Sequence, residues 1–562
     1  MTLTISASHR VLFTPELLHL IFNTLDKTAN TRNACVCKQW FEIALDHIWE
    51  KVDGLFHLFR LLKPIQILVF GGSHYDFVCP PEPQDWARFQ KYARRVRCLR
   101  FRADRTGYNW TLVLDAIART RTSLDILPNM HTLRWISKDR AHLERCMMFL
   151  HARLKHLVVS THLPAYRSTL FKDISARVPS IHSLNLDISR YDSALETDIR
   201  TLLQNLPALR KLTLPEFFLT PPIVEELSRM KHIGVIGLEH TICNEDRIPV
   251  TSFHPILAEG AFPALSELAL VAHLADVDEF FHSSSAPINI KSLYITTYDH
   301  HMPSQIHAFL VTLSQRCQLL SQLFIKLLHK DDTITFDAEQ QLSYDTIKPL
   351  LSLPNLKKFE LIHKYPLKIF LDEVDELARQ WPSLESLKLN AEPLFLDPGL
   401  IKLDLRALLP FARHCPSLKR LGLYVNATGE EVPITQISEI RPFTSLEVLS
   451  VGTSLAQGQE AVAGFLSLLC PPNCELRADV TWTKYGTHED RFFHPVPKHV
   501  IDMRSQAWQA TFQLVQPLVQ FRKDAKEKSR LPQKEVEDLR IRNSLLTEKL
   551  NNVPSSDSCV VA

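Results

Sequence analysis

Glycine is the first shortage: 14 of 562 residues, about 2.5% where roughly 7% is usual. A backbone that cradles a phosphate or turns through positive φ generally needs glycine, so its scarcity argues against nucleotide sites built on such loops. Neither GxGxxG nor GxxxxGK[ST] occurs. Excess charge of one sign is also lacking. With 64 basic and 62 acidic residues the formal charge is +2, which gives no global drive toward nucleic acid or membrane, and no nucleic-acid partner is expected. Long apolar runs are missing too: the stretch from Leu55 to Phe70 is broken by Arg60, Lys63 and Pro64, short of the roughly 18–20 residues a membrane span needs. The opening MTLTISASHR lacks a basic-then-apolar leader pattern. Eleven scattered cysteines, an odd number, then read as reduced thiols of a protein of the cytoplasm, the nucleus or both.

The residue patterns of catalysis are equally scarce. His300 and His301 are adjacent, without the i, i+4 spacing of a helical zinc site, and His488-Glu489 is followed by Phe492 where a second histidine would stand. Cys35 with Cys37, and Cys470 with Cys474, lack the second pair that a metal cluster requires. No GxSxG elbow occurs. The expectation is a non-enzymatic chain without catalytic residues, metal or cofactor.

Leucine, by contrast, is abundant: 85 residues, about 15%. It is also phased. An apolar residue, two positions, a second apolar residue, one position and a third recur as Leu154, Leu157, Val159; Ile181, Leu184, Leu186; Leu209, Leu212, Leu214; and Leu265, Leu268, Leu270. The pattern continues as Leu320, Leu323, Ile325; Leu356, Phe359, Leu361; Leu384, Leu387, Leu389; Leu418, Leu421, Leu423; and Leu446, Leu449, Val451. Weaker copies centre on Leu99, Leu133, Ile236 and Leu293. The thirteen centres run from 99 to 449, a mean step of about 29 residues. In six copies a proline (Pro179, Pro207, Pro263, Pro354, Pro382, Pro416) precedes the first apolar residue by two positions. Proline ends a helix and holds the residue before it extended. Helix-period apolar sets such as Val374, Leu377, Ala378, Trp381 lie upstream of the strand positions. Each unit is therefore predicted as helix, stop and short strand, and such units bury their apolar faces only by stacking.

The P-x-L-x-x-L-x-L copies resemble leucine-rich repeats of the longer, roughly 26–30-residue type. That resemblance implies an α/β fold: a curved solenoid of short parallel strands on one side and helices on the other. The asparagine usual three positions after the last leucine is replaced by Glu392 in the copy at 384–389. A large ordinary α/β fold with leucine-rich strands is the alternative.

Ahead of the repeats, Thr14 and Pro15 form a helix-start signal. Leu17, Leu18, Ile21, Phe22 and Leu25 then share one stripe, followed by Val36, Trp40, Ala44 and Trp49. So many large apolar groups exceed what about 45 residues can hide unaided. The order Pro15, Glu16, Leu17, Leu18, Ile21, Phe22, Leu25, Val36, Cys37, Trp40, Ala44, Trp49 resembles an F-box over residues 11–51. The departure is Phe13-Thr14 before Pro15, where the family often has leucine. The resemblance implies docking on the adaptor of Skp1–cullin–F-box ubiquitin ligases and, through it, on a cullin. Pro15, Leu17, Leu18, Ile21 and Phe22 would face the adaptor, with Val36, Cys37 and Trp40 completing the surface, while the repeats hold an unidentified target protein. A helical cap on the solenoid edge, in a scaffold protein without a ligase role, is the alternative reading.

Two further features stand outside the repeats. Residues 88–105 hold Arg88, Lys91, Arg94, Arg95, Arg97, Arg100, Arg102 and Arg105 against one acid, Asp104; the cluster is either a receiver for acidic segments or a solvated face. Toward the C-terminus Val536, Leu539, Asn543, Leu546 and Leu550 recur at 3,4,3,4 spacing, which reads as a short dimeric coiled coil or as a frayed or docked helix. The final Cys559-Val560-Val561-Ala562 fits the C-a-a-X signal, making Cys559 a candidate farnesylation site and peripheral membrane attachment conditional on it. The expected organisation is a flexible start (1–10), the F-box module (11–51), a linker or cap (52–95), the repeats (96–480), a C-terminal cap (481–522) and a charged helical tail (523–562).

Overall fold

The computed structural model describes residues 11–551 except 71, 104–106, 138, 162–166, 189–192, 240–251, 328–335, 429–439 and 479–495. The chain divides into two compact units, residues 1–300 with 311–320, and 301–310 with 321–562.

The first unit begins with three helices, α1 (Pro15–Asn23), α2 (Lys27–Asn33) and α3 (Lys38–Glu50). There follow β1 (Lys51–Asp53), an antiparallel hairpin of β2 (Ile65–Val69) and β3 (Ser73–Phe77), β4 (Cys98–Arg102), β5 (Thr132–Ile136) and β6 (His156–Thr161). Five more strands complete the unit: β7 (Ser183–Ile188), β8 (Lys211–Pro215), β9 (Val235–Glu239), β10 (Glu267–Val271) and β11 (Ser292–Thr297). Apart from the hairpin these strands pair in chain order, every neighbour parallel. Parallel neighbours require crossovers, and helices such as Pro83–Ala93, Thr111–Thr120 and Pro221–Ser228 supply them.

The second unit repeats this plan with β12 (Gln322–Leu327), β13 (Lys358–His363), β14 (Ser386–Leu389), β15 (Arg420–Leu423), β16 (Asn426–Thr428), β17 (Val448–Ser450), β18 (Leu455–Gln457) and β19 (Glu475–Arg477). Here β12, β13, β14, β15, β17 and β19 follow one another in parallel, while β16 and β18 form a separate parallel pair. The architecture is a solenoid-like α/β arrangement of parallel strands behind N-terminal helices.

The leucine phasing is the register of this array. All thirteen predicted centres lie on strands and pair centre to centre: Leu99 with Leu133, Leu133 with Leu157, Leu157 with Leu184, Leu184 with Leu212, and Leu387 with Leu421. Every residue of the nine strong triplets is at most 3% exposed. Fully burying one such side chain is worth about 1.5–3 kcal/mol, so a one-residue slip of any strand would expose the whole set. The prolines stop helices as expected: the helices Leu371–Gln380 and Leu408–His414 end just before Trp381 (φ −117°, ψ 59°) and Cys415 (φ −115°, ψ 74°), each preceding a proline and each outside the helical region but short of fully extended. Two rungs escape the sequence pattern. Val52 on β1 pairs with Leu99, and Leu476 on β19 with Leu449, so the ladder begins inside the segment expected as a linker. At these two rungs the triplet is incomplete, with Gly54 at its third position in the first and Asn473 at its first position in the last.

The position of the missing asparagine is filled differently. Glu392 is buried and paired with Lys388 at 2.6 Å. Asn390, fully buried at φ +44°, ties the loops together instead: its Nδ2 donates to the Tyr365 carbonyl (2.6 Å) and its Oδ1 accepts from the His363 N–H (2.9 Å). Burial pulls His363 itself down to about 4, helped by Lys364 and His301 and opposed by the Tyr365 carbonyl. An imidazole lowered on folding favours the native state above its ordinary value near 6.5 and loses that contribution as pH falls through 6.5 toward 4. The shift corresponds to about 3 kcal/mol. Denaturant titrations between pH 7 and 4 should show this loss, and His363→Gln should flatten it; equal slopes in both proteins would refute the assignment.

A single 54-residue helix, Lys498–Asn551, ends the described chain and crosses the expected 522/523 boundary. Its first part docks through buried Arg504, Trp508, Thr511, Val515 and Val519. The Arg504 guanidinium donates to the Tyr424 hydroxyl (3.1 Å) and the Thr453 carbonyl (2.8 Å), and the Trp508 indole N–H to the Ser454 carbonyl (3.0 Å). Farther along, Val536, Leu539 and Leu546 are about half exposed. Cys559 lies outside the described residues.

Candidate functional site

The N-terminal helices carry the concentration of apolar surface that the sequence pointed to. Helix α1 starts where expected, with Thr14 extended and Pro15 in the first turn, but the Thr14 side chain makes no capping hydrogen bond to the helix. Asp26 caps α2 by accepting from the Ala29 N–H (2.7 Å), and the Cys37 sulfur accepts from the Trp40 N–H (3.5 Å) at the start of α3. Buried Asn30 fastens α2 to the end of α1 by donating to the Phe22 carbonyl (2.9 Å). The start of α3 is joined to the residues before α1, because the Gln39 amide donates to the Phe13 carbonyl (2.9 Å) and the Trp40 indole N–H to the Leu12 carbonyl (3.1 Å).

The predicted interface stripe splits in two. Leu18 (0% exposed) and Phe22 (2%) are the module's own core, packed with Ile43 and Ala44 and flanked by Trp40 and Ile48. The Phe22 and Trp40 rings meet in a T-shaped arrangement, with centroids 5.4 Å apart. These two residues therefore do not face outward, which corrects the expectation that the whole stripe would. Three helices of this length need an interior, and the i, i+4 pair Leu18–Phe22 supplies it. Pro15, Leu17, Ile21, Val36 and Cys37 are exposed, and Trp40 is half-buried.

Phe13, Leu20, Leu25 and Phe41, absent from the predicted set, are exposed as well. At 100° per residue, Leu17, Leu20 and Ile21 form one crest on α1, rotated away from Leu18 and Phe22. Leu20 is the most exposed of them at 67%. Had the stripe been read as two faces, Leu20 would have been found, since it lies i+3 from Leu17. A crest of large apolar side chains in water marks an interaction surface.

The electrostatics around the crest are mild. His19 Nδ1 and His47 Nε2 lie 3.2 Å apart, joining α1 to α3 on another side, and burial together with the neighbouring His19 holds His47 below its ordinary value. Arg95 is drawn to the carboxylates of Glu42 and Asp46 on α3. Among the described residues no group of three or more His, Cys, Asp or Glu side chains is placed to hold a metal ion. The cysteine pair Cys470 and Cys474 is buried. No helix of the described residues is long and apolar enough to cross a membrane.

Comparison with curated proteins finds no match. Among solved structures the chain is similar to the Rad7–Elc1 complex in yeast (15% identity, TM-score 0.33, covering 82% of this chain and 92% of that one). It is also similar to a protein from Bacteroides fragilis (11% identity, TM-score 0.28, 58% of this chain and 75% of that one). A third likeness is to TLR13 in complex with ssRNA13 (14% identity, TM-score 0.26, 69% of this chain and 62% of that one). Residues 15–54 match the family model described as F-box-like, the span of α1, α2, α3 and the first strand. The N-terminal module is an F-box-like domain.

Proposed function

We propose that the chain is a non-catalytic substrate receptor of a ubiquitin ligase of the Skp1–cullin–F-box class. The observation that carries this reading is the match of residues 15–54 to the F-box-like model on a module whose Leu17, Leu20 and Ile21 crest is exposed. The crest binds an Skp1-like adaptor, which brings a cullin; the parallel-strand array, a leucine-rich-repeat solenoid, presents a target protein. Ubiquitin transfer is then promoted by proximity, with no reacting group in this chain. Affinity capture of the full-length chain from its native cells tests this. Adaptor and cullin should co-purify in stoichiometric amounts, and their absence from a folded preparation would leave a scaffold protein. Two finer proposals attach to the C-terminus: self-association through Leu539 and Leu546, read by sedimentation of the Leu539→Glu/Leu546→Glu variant, and farnesylation of Cys559, read by intact mass.

A further inference from the structure

The described part of the basic window, residues 88–103, is sorted by the fold, while Asp104 and Arg105 lie outside the described residues. Arg88 donates to the carbonyls of Leu61 and Leu62 (2.8 and 3.0 Å), Arg95 serves the acids of α3, and Arg97 donates to the Asn129 carbonyl (3.3 Å). Arg100 and Arg102 differ. They alternate with buried Leu99 and Phe101 on β4, so both stand on the opposite, open face. The register then adds an arginine from outside the window: Arg134 on β5 is the direct partner of Arg100. Like charges directly opposite across a strand pair destabilise it. Behind them, the Phe101 and Trp135 rings pack at a tilt with centroids 4.2 Å apart, which helps hold the two strands in this register.

Among the described residues the one acid paired with this trio is Asp53, 3.7 Å from Arg100, both side chains being more than half exposed. The same kind of position in the second unit is treated otherwise: there Glu360 and Lys388 are register partners and ion-paired at 3.5 Å. Neighbouring strands are about 4.8 Å apart and alternate residues about 6.7 Å apart along a strand. Three guanidinium groups thus rise from one small triangle, a spacing that suits two or more oxygens of a phosphoryl group or of clustered carboxylates. Half-buried Ile136 and Val158, register partners of Arg102 and Arg134, extend the same face with apolar surface.

We propose that the open face of β4 and β5, built on Arg100, Arg102 and Arg134, binds an acidic segment of a protein. This deepens the receptor reading above by naming the chemistry of the target. The test uses the full-length chain on immobilised peptides of mixed sequence, each made with phosphoserine, glutamate or serine at one position, beside a uridine homopolymer RNA. Retention by the phosphoserine or glutamate forms and not by serine is expected, weakening with salt. The first form dominating assigns a phosphoryl ligand; equal retention assigns carboxylates. Arg100→Ala/Arg134→Ala, two exposed substitutions, should lower retention about tenfold or more while leaving adaptor capture intact. Unchanged retention by that variant, or retention of the RNA in place of the peptides, would overturn the site. Peptide retention by a chain that captures no adaptor would overturn the ligase reading and leave the site standing.

Discussion

A chain carrying Leu17→Glu, Leu20→Glu and Ile21→Glu is expected to melt with the wild type and to lose adaptor capture by about a hundredfold or more. These three side chains are 39%, 67% and 39% exposed, and none belongs to the module's core. Surface substitutions away from buried features change stability by about 0.5 kcal/mol or less each, and glutamate is a good helix former. Binding responds differently because large apolar anchors at the centre of a desolvated patch dominate an interface, about 2 kcal/mol or more apiece. Leu18→Ala provides the contrast. It removes a fully buried side chain from among Phe22, Ile43 and Ala44, a change that costs about 2–5 kcal/mol. Its loss of adaptor would follow from loss of fold and would appear first in the circular dichroism melt. Capture retained by the folded triple variant would remove the crest from the interface.

Of the described glycines in the second unit, Gly452 should tolerate alanine least, with stability lowered by about 4 kcal/mol or more. The residue has φ +49°, where a Cβ is strained. A Cβ there would also stand 2.0 Å from the Ala391 carbonyl oxygen, a backbone atom that no side-chain rotation can move. The close approach is required by the loop that follows β17. The Thr453 N–H donates to that same Ala391 carbonyl (3.2 Å), and the carbonyls of Thr453 and Ser454 receive Arg504 and Trp508 of the C-terminal helix. Opening this loop therefore undocks the helix too. Denaturant unfolding together with limited proteolysis after Lys498 reads both effects. Gly464→Ala is the control, since its Cβ would meet nothing within 4 Å. Equal stability of the two variants would contradict this account.

How far the sequence could be read differed from place to place. The leucine phasing located thirteen strands because period and burial agree on every rung: a residue such as Leu184 is apolar for the same reason that it pairs with Leu157 and Leu212. The three-residue strands around Val52 and Leu476 were hidden, since their rungs are held by neighbours and not by any pattern of their own. On α1 the composition of the stripe was visible while its division was not. Leu17 and Leu18 are both leucines, and only the packing of α3 against one side makes Leu18 core and leaves Leu17 in water. The basic window was equally mixed: Arg95 and Arg100 look alike in the sequence, yet one meets the carboxylates of Glu42 and Asp46 and the other stands beside Arg134.

The scarcity of glycine now divides in the same way. By itself the sequence determined a repetitive α/β array, because local periodicity and proline stops are properties of neighbouring residues, while the F-box-like start rested on a resemblance in the order of residues 11–51. Only the tertiary structure decided which of those residues meet solvent and which of the few glycines is indispensable. Both depend on what a distant segment brings alongside: α3 against α1, β5 against β4, and the Ala391 carbonyl against Gly452.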